Sequence, residues 1–147
     1  MRIRGLFACL LVVLVLAATG QARAQDAYPN RVIRFIVGFA AGGGNDIFAR
    51  LVVNKFQELT GASAIVENKP GAGGRISSEY VAHQAPDGYT VLVGATGQMS
   101  IAAAIYPNLA YHPTKSFIAL NMIATPGMPV FSFNVSLAMV KAGDDEP

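Results

Sequence analysis

The chain has 147 residues, of which 52% are hydrophobic and 14% are charged, a composition typical of one globular domain with a sizeable core. Its net charge of +2 includes Arg2, Arg4 and Arg23, so the chain from residue 25 onward carries eight basic and nine acidic side chains. This near-neutral balance leaves no basic stripe, and we expect no nucleic-acid partner. The only cysteine, Cys9, also precedes residue 25, which excludes disulfides and thiol chemistry from the rest of the chain.

The first 24 residues have the pattern of a cleaved signal peptide. Arg2 and Arg4 provide a positive start, residues 6–18 form an uncharged apolar run, and residues 22–24 (Ala-Arg-Ala) match the small-x-small pattern before a cleavage site. We therefore predict a signal peptide over residues 1–24, export to the periplasm and a mature chain beginning at Gln25. A retained membrane anchor is the alternative, but the run is shorter than the ~20 apolar residues that a spanning helix needs.

Three strand–loop–helix units follow one another. In the first, the apolar run 32–39 predicts a buried strand, and the glycine-rich stretch FAAGGGND leads into a helix that ends before Gly61. Asp46 is the expected N-cap of this helix. The second unit has a strand over 64–67, the loop NKPGAGGR and a helix over about 74–84. The third has a strand over 89–94 and the loop GATGQMS before a short helical segment. The order predicts an α/β fold with a parallel sheet.

The helical spacing in the first unit predicts which face of that helix is buried. Its apolar positions recur every three to four residues, as expected for a helix that packs on a sheet: Phe48, Leu51, Val52, Phe56 and Leu59. Two further apolar strands are expected over 118–124 and 130–135. The chain shows no internal repeat.

All three strand–helix loops are rich in glycine and small residues. In a parallel α/β sheet, loops that follow the carboxyl ends of the strands gather at one edge, where ligands bind. Glycine backbones can crowd around a bound group, and the first turn of a helix attracts anions. The sequence therefore predicts an anion-binding pocket shared by these loops. Tight turns without any ligand remain the alternative.

Known catalytic and nucleotide-binding motifs do not match. Both glycine runs fail the dinucleotide fingerprint at its last position, no lysine follows Gly43 as a phosphate-binding loop requires, and a nucleophile elbow is absent. His83 and His112 lie far apart in sequence, so no metal-ligand spacing is present. We expect no enzyme activity, no metal and no cofactor. An exported α/β enzyme that uses Asp46, Thr96 or Ser100 is the alternative, which would need a nucleophile–base pair.

Three stretches carry a family resemblance: YPNRVIRFIVGFAAGGGNDIFARLV, VENKPGAGGRISSEYVAHQAPDGYTVLVGATG and YPNLAYHPTKSF. In this order they closely resemble the extracytoplasmic solute receptors of tripartite tricarboxylate transporters, the Bug-type receptors. The likeness runs from about residue 28 to residue 135. It implies a periplasmic-binding-protein-like parallel sheet with βα repeats, which forms the first lobe of a two-lobe clamshell.

The resemblance also implies a binding site. In the family, backbone amides and small hydroxyls of the first βα loop and of the loop after the third strand hold one ligand carboxylate. The ligand is a small di- or tricarboxylate or an amino-acid-like solute, which membrane permease subunits then receive. The PGAGG loop, residues 70–74, is expected only to shape the rim. The corresponding ligand-binding positions are Phe39, Ala40, Ala41, Gly42, Gly43, Gly44, Asn45, Asp46, Ala95, Thr96, Gly97 and Gln98.

The sequence departs from the family pattern after residue 135. Such receptors are about twice as long, and a proline-lysine segment usually stands where this chain reads SLAMVKAGDDEP. We therefore expect a signal peptide at 1–24, an incomplete N-terminal lobe at 25–135 and a divergent tail at 136–147. A truncated remnant that no longer binds a solute is the alternative to a functional receptor.

Overall fold

The structure is a computed structural model that describes residues 28–123 and 135–141. The predicted signal peptide lies outside the described residues. Within them, no helix has the length and apolar character needed to cross a membrane. The described part of the chain contains a five-stranded sheet and short helical segments, in this order: β1 Ile33–Val37, α1 Gly44–Thr60, β2 Ala64–Asn68, a 3-10 turn Ala72–Gly74, α2 Arg75–Ala82, β3 Thr90–Ala95, a π-helical turn Gly97–Ile101, α3 Ala102–Ile105, β4 Phe117–Ile123 and β5 Val135–Val140.

The sheet has the strand order β2-β1-β3-β5-β4. β1 lies parallel to both β2 and β3, with Val37 opposite Asn68 on one side and opposite Val93 on the other. β5 runs antiparallel to β3 and to β4. The predicted α/β fold with βα repeats is therefore confirmed, but the sheet is mixed and not wholly parallel, because β5 enters it in the opposite direction.

Helices cover the two faces of the sheet differently. On one face, α1 packs on Phe35, Val37 and Val93 through Ala49 and Val53. On the other face, α2 and the segment after α3 cover Ile36 and Leu92. The central strands are buried on both faces, which explains why β1 and β3 read as continuous apolar runs in the sequence.

The helix α1 begins and ends at glycines. Gly61 adopts a left-handed conformation with φ of 69°, and its N–H donates to the carbonyl of Gln57, so the predicted C-terminal glycine is confirmed. The predicted N-cap is wrong: Gly43 is the N-cap, and Asp46 lies in the first turn. The predicted apolar stripe is wrong at two positions, since Leu51 and Leu59 are exposed while Phe48, Val52 and Phe56 pack against the core.

The last strand crosses the predicted boundary at residue 135. Residues 124–134, which hold most of the strand expected over 130–135, lie outside the described residues. β5 takes its place with Val135–Val140, and Ala138 is buried in the middle of the sheet. The first part of the predicted tail therefore contributes to the fold, while the division into lobe and tail stays a prediction.

Candidate functional site

The three glycine-rich loops leave the sheet side by side. Because Val37 lies between Asn68 and Val93, the ends of β1, β2 and β3 meet at the same edge of the sheet. The order of strands puts the loop after β1 in the middle, with the other two on either side. The sequence pattern predicted this convergence, and the register explains it physically.

A junction of two glycines and two polar side chains joins these loops. A methyl group placed on Gly38 would lie 2.8 Å from the Cα of Gly74 and 3.0 Å from Oε1 of Gln98, and it would collide with Oγ of Ser77. Gly74 has φ of 87° and likewise leaves no room for a Cβ, because the Gln98 side chain fills that space. The three loops are therefore in direct contact, and their packing depends on the absence of side chains at Gly38 and Gly74.

The N-terminus of α1 is open at this edge. Its N-cap, Gly43, has no side chain to accept from the first turn, and no side-chain cap replaces it. Residues 40–44 are exposed, and Gly42 has φ of 82°, a conformation that favours glycine. The backbone N–H groups of the first turn can therefore donate hydrogen bonds to an anion from solvent, and the positive end of the helix dipole attracts it.

The carboxylate of Asp46 anchors the loop after β1. Its Oδ2 accepts from the Gly42 N–H at 2.8 Å and from Nε of Arg50 at 2.9 Å, and its Oδ1 accepts from Nδ2 of Asn68 at 2.9 Å. The hydrogen bond from Arg50, with those from Gly42 and Asn68, lowers the pKa of Asp46 to about 2 against the opposing effect of burial. The carboxylate is thus ionised, neutralised by Arg50 and fully used in tying the loop to the end of β2.

Asn68 completes this anchor from the neighbouring strand. Its Nδ2 also donates to the carbonyl of Phe39 at 3.1 Å, so one amide holds both ends of the loop. Asn68 lies in the predicted loop NKPGAGGR but, like Arg50, Gly38 and Ser77, was not among the predicted ligand-binding positions. A polar residue at the carboxyl end of β2 was the available signal for Asn68, whereas the glycine junction is visible only from the packed loops.

The predicted site residues divide into exposed and buried groups. Residues 40–44 and Gly97 are exposed, and Phe39, Ala95 and Thr96 are half-buried. Asn45, Asp46 and Gln98 are buried. Their side chains are shielded from solvent, so contacts through their backbone N–H groups are the form in which the predicted role fits this conformation.

Two of these buried side chains have polar atoms without a partner among the described residues. They are Oδ1 of Asn45 and both amide atoms of Gln98. A buried polar atom without a partner is costly in free energy, and such atoms are uncommon in folded proteins. The backbone carbonyl of Gln98, in contrast, accepts from the buried Tyr111 hydroxyl, which holds the loop after β3 in place.

A cavity of about 640 Å³ adjoins the end of the third predicted loop, at Met99 and Ser100, and is not lined by the other two loops. It is formed by the π-helical turn, α3 and residues 106–116. Thr96 and Ser100 make no hydrogen bond to a histidine among the described residues. Nor do these residues contain a group of three acidic, histidine or cysteine side chains placed to hold a metal ion.

A family model and several related proteins match this chain. The model of the tripartite tricarboxylate transporter family receptor (TctC) matches residues 48–135. A UPF0065 protein in the TAR-I ttuE-ttuC' intergenic region of Agrobacterium vitis is 40% identical over 109 residues, which cover 74% of this chain and 31% of that protein. This chain thus spans about a third of that relative's length.

Two solved structures with ligands are also similar. MatC from Rhodopseudomonas palustris with bound malate is 41% identical with a TM-score of 0.60, covering 65% of this chain and 33% of that one. Rpa4515 of R. palustris with adipate is 31% identical with a TM-score of 0.59, covering 70% of this chain and 37% of that one. The similar region again spans about a third of each solved chain.

Proposed function

Because the chain belongs to the tripartite tricarboxylate transporter receptor family, we propose that it is the N-terminal lobe of a periplasmic solute receptor. The lobe captures a small solute that carries a carboxylate, either a di- or tricarboxylate or an amino-acid-like molecule. Membrane permease subunits of the transporter then receive the solute. In this proposal the protein binds and releases its ligand unchanged and is not an enzyme.

The open N-terminus of α1 is the observation that carries the proposal. A ligand carboxylate placed on the first turn would accept charge-assisted hydrogen bonds from backbone N–H groups of residues 44–46, since the Gly43 N–H already donates to the carbonyl of Ala40. Such a site needs no lysine or arginine. Since Arg50 neutralises Asp46, the acidic residue in this turn does not repel the incoming anion.

The loop after β3 would form the second wall of the site. Gly97 is exposed next to the loop after β1, and Thr96 offers a hydroxyl that is half-buried at the same edge. The malate and adipate of the two solved relatives are dicarboxylates, which supports this ligand class for the present chain. The second lobe of a clamshell would contact the far end of the solute and exclude water.

A substitution at the helix N-cap tests the proposal. In a two-lobe receptor that carries this N-terminal half, Gly43→Val puts a branched side chain where the ligand must approach the backbone amides. The loss of two charge-assisted hydrogen bonds, each worth about 1.5–3 kcal/mol, would weaken malate or adipate binding at least about a hundredfold. Calorimetric titration measures this change.

A matched control uses the same side chain at the opposite edge of the sheet. Ala85 is exposed in the turn before β3, so Ala85→Val should leave the affinity unchanged. Equal affinity of the Gly43→Val receptor and the unmodified receptor would remove this helix N-terminus from the binding site.

The predicted mature chain, residues 25–147, gives a second test. It supplies one wall of the site, and a single carboxylate contact at a helix terminus in open water contributes about 1–2 kcal/mol, against the ~8 kcal/mol of micromolar binding. We therefore expect titration of this chain with citrate, glutamate and adipate to show weak binding or none. Micromolar binding would show that the chain contains a complete site.

A further inference from the structure

A second cavity lies between α2 and the segment that follows α3. Its volume is about 350 Å³, and none of the twelve predicted ligand-binding residues lines it. Side chains of both charge signs and of apolar character surround it: Arg75, Ile76, Glu79, Tyr106, Asn108 and Leu109. This mixture is unlike the α1 N-terminus, which offers only backbone N–H groups to an anion.

The two charged side chains of the cavity are not paired with each other. Arg75 and Glu79 are four residues apart on α2, a spacing at which opposite charges commonly form an ion pair. Neither residue takes part in an ion pair among the described residues. The Arg75 guanidinium instead lies over the Tyr106 ring, with Cζ 3.7 Å from the ring centroid.

This stacking prepares the guanidinium for a carboxylate. A guanidinium that stacks through its flat face leaves its N–H edge free, and that edge matches the two oxygens of a carboxylate. The contact with Tyr106 also limits the rotamers of Arg75, which lowers the entropy lost on binding. Glu79 is exposed one turn further along α2, where its carboxylate can accept from an ammonium group.

Ile76 and Leu109 form an apolar part of the cavity wall. Ile76 is 51% exposed, and Leu109 is half-buried. An aliphatic side chain placed against them would be removed from water. A dicarboxylate would instead bring its second negative charge toward Glu79, which disfavours the ligand class proposed for the α1 site.

We propose that this cavity binds a free amino acid with an aliphatic side chain in its zwitterionic form. Arg75 holds the carboxylate, Glu79 holds the ammonium group, and Ile76 and Leu109 contact the aliphatic side chain. The site is independent of the proposed carboxylate site at α1, so the two can be tested separately.

Titration of the isotopically labelled full chain with L-leucine, followed by its amide NMR spectrum, tests the proposal. Leucine should cause saturable shifts at residues 75–79, 106, 108 and 109. Two analogues of leucine each remove one charge. 4-Methylpentanoate lacks the ammonium group, and 3-methylbutylamine lacks the carboxylate. Both should bind at least about tenfold more weakly, since each loses one charge-assisted contact. Equal shifts from 4-methylpentanoate would reduce the cavity to a simple anion site and overturn the proposal.

Substitutions then assign the contacts. Arg75→Gln and Glu79→Gln should each weaken leucine binding at least about tenfold, and Tyr106→Phe, which keeps the ring, should bind better than Tyr106→Leu. Glu58→Gln is the matched control. Glu58 is an exposed acid on α1, outside the cavity, and its carboxylate lies 2.9 Å from Nζ of Lys55.

The design separates loss of binding from loss of folding. A dispersed amide spectrum verifies that each variant is folded, and Glu79 is exposed, so Glu79→Gln tests the site even if Arg75→Gln disturbs α2. Leucine that binds Glu79→Gln as tightly as the unmodified chain, or that causes no shifts at residues 75–79, would refute the amino-acid site.

Discussion

Replacing Gly38 with alanine should destabilise the fold by overpacking the junction of the three loops. The added methyl would lie 2.8 Å from the Cα of Gly74 and would collide with Oγ of Ser77. The first of these neighbours is backbone, and Ser77 is buried and donates to the carbonyl of Gly74 at 2.7 Å. Neither can move away without shifting the loop before α2.

The size of the effect follows from that geometry. Overpacking by one methyl group in a close-packed region typically costs about 1–3 kcal/mol. With a urea m-value of about 1–2 kcal/mol/M for a small domain, the unfolding midpoint should fall by roughly 1 M. Gly38 does not have a positive φ, so backbone strain does not contribute, and the reduced entropy of the unfolded chain offsets only about 0.4–1 kcal/mol of the packing cost.

Gly44→Ala is the matched control for this measurement. A methyl on Gly44 has no neighbour within 4 Å, and the residue is the first in α1. This variant should be as stable as the unmodified chain or slightly more stable, because alanine favours a helix over glycine by up to ~1 kcal/mol. Equal urea midpoints for Gly38→Ala and Gly44→Ala would show that the loops do not pack as described.

Three further predictions concern other regions. The pKa of Asp46 is about 2 in the fold against its ordinary 3.8, so Asp46 should stabilise the protein by about 2 kcal/mol above pH ~4 and lose this contribution between pH ~4 and ~2. Asp46→Asn should therefore lower the urea midpoint at pH 7 and flatten its acid dependence, whereas an unchanged acid profile would contradict the hydrogen bonds assigned to Asp46. Leu120 is 46% exposed beside Ile118 on β4, so Leu120→Ser should reduce self-association in sedimentation experiments while changing stability by less than about 0.5 kcal/mol; unaltered sedimentation would mean that copies do not meet at this face. Intact-mass analysis of exported protein should give an N-terminus at Gln25, and a mature product that still begins at Met1 would disprove signal cleavage.

Local patterns were sufficient where neighbouring residues in the sequence decide the structure. The apolar runs of β1 and β3, the glycine that ends α1 and the repeated βα order all depend on short-range preferences and burial. The prediction for the N-cap of α1 was wrong because an acidic residue near a helix start suits both the N-cap and the first turn. Asp46 lies in the first turn, where its carboxylate accepts a hydrogen bond from Asn68 on another strand. A contact between residues on different elements cannot be read from the local sequence pattern.

The sequence by itself determined the α/β class, the family resemblance and the gathering of three glycine-rich loops at one edge of the sheet. Only the tertiary structure decided that β5 runs antiparallel between β3 and β4, and that Gln98 is buried against Gly38 and Gly74. It also decided that Arg75 stacks on Tyr106 and does not pair with Glu79. Each of these features depends on contacts between residues far apart in the chain. Such contacts form only when whole strands and helices pack, so spacing along the sequence could not specify them.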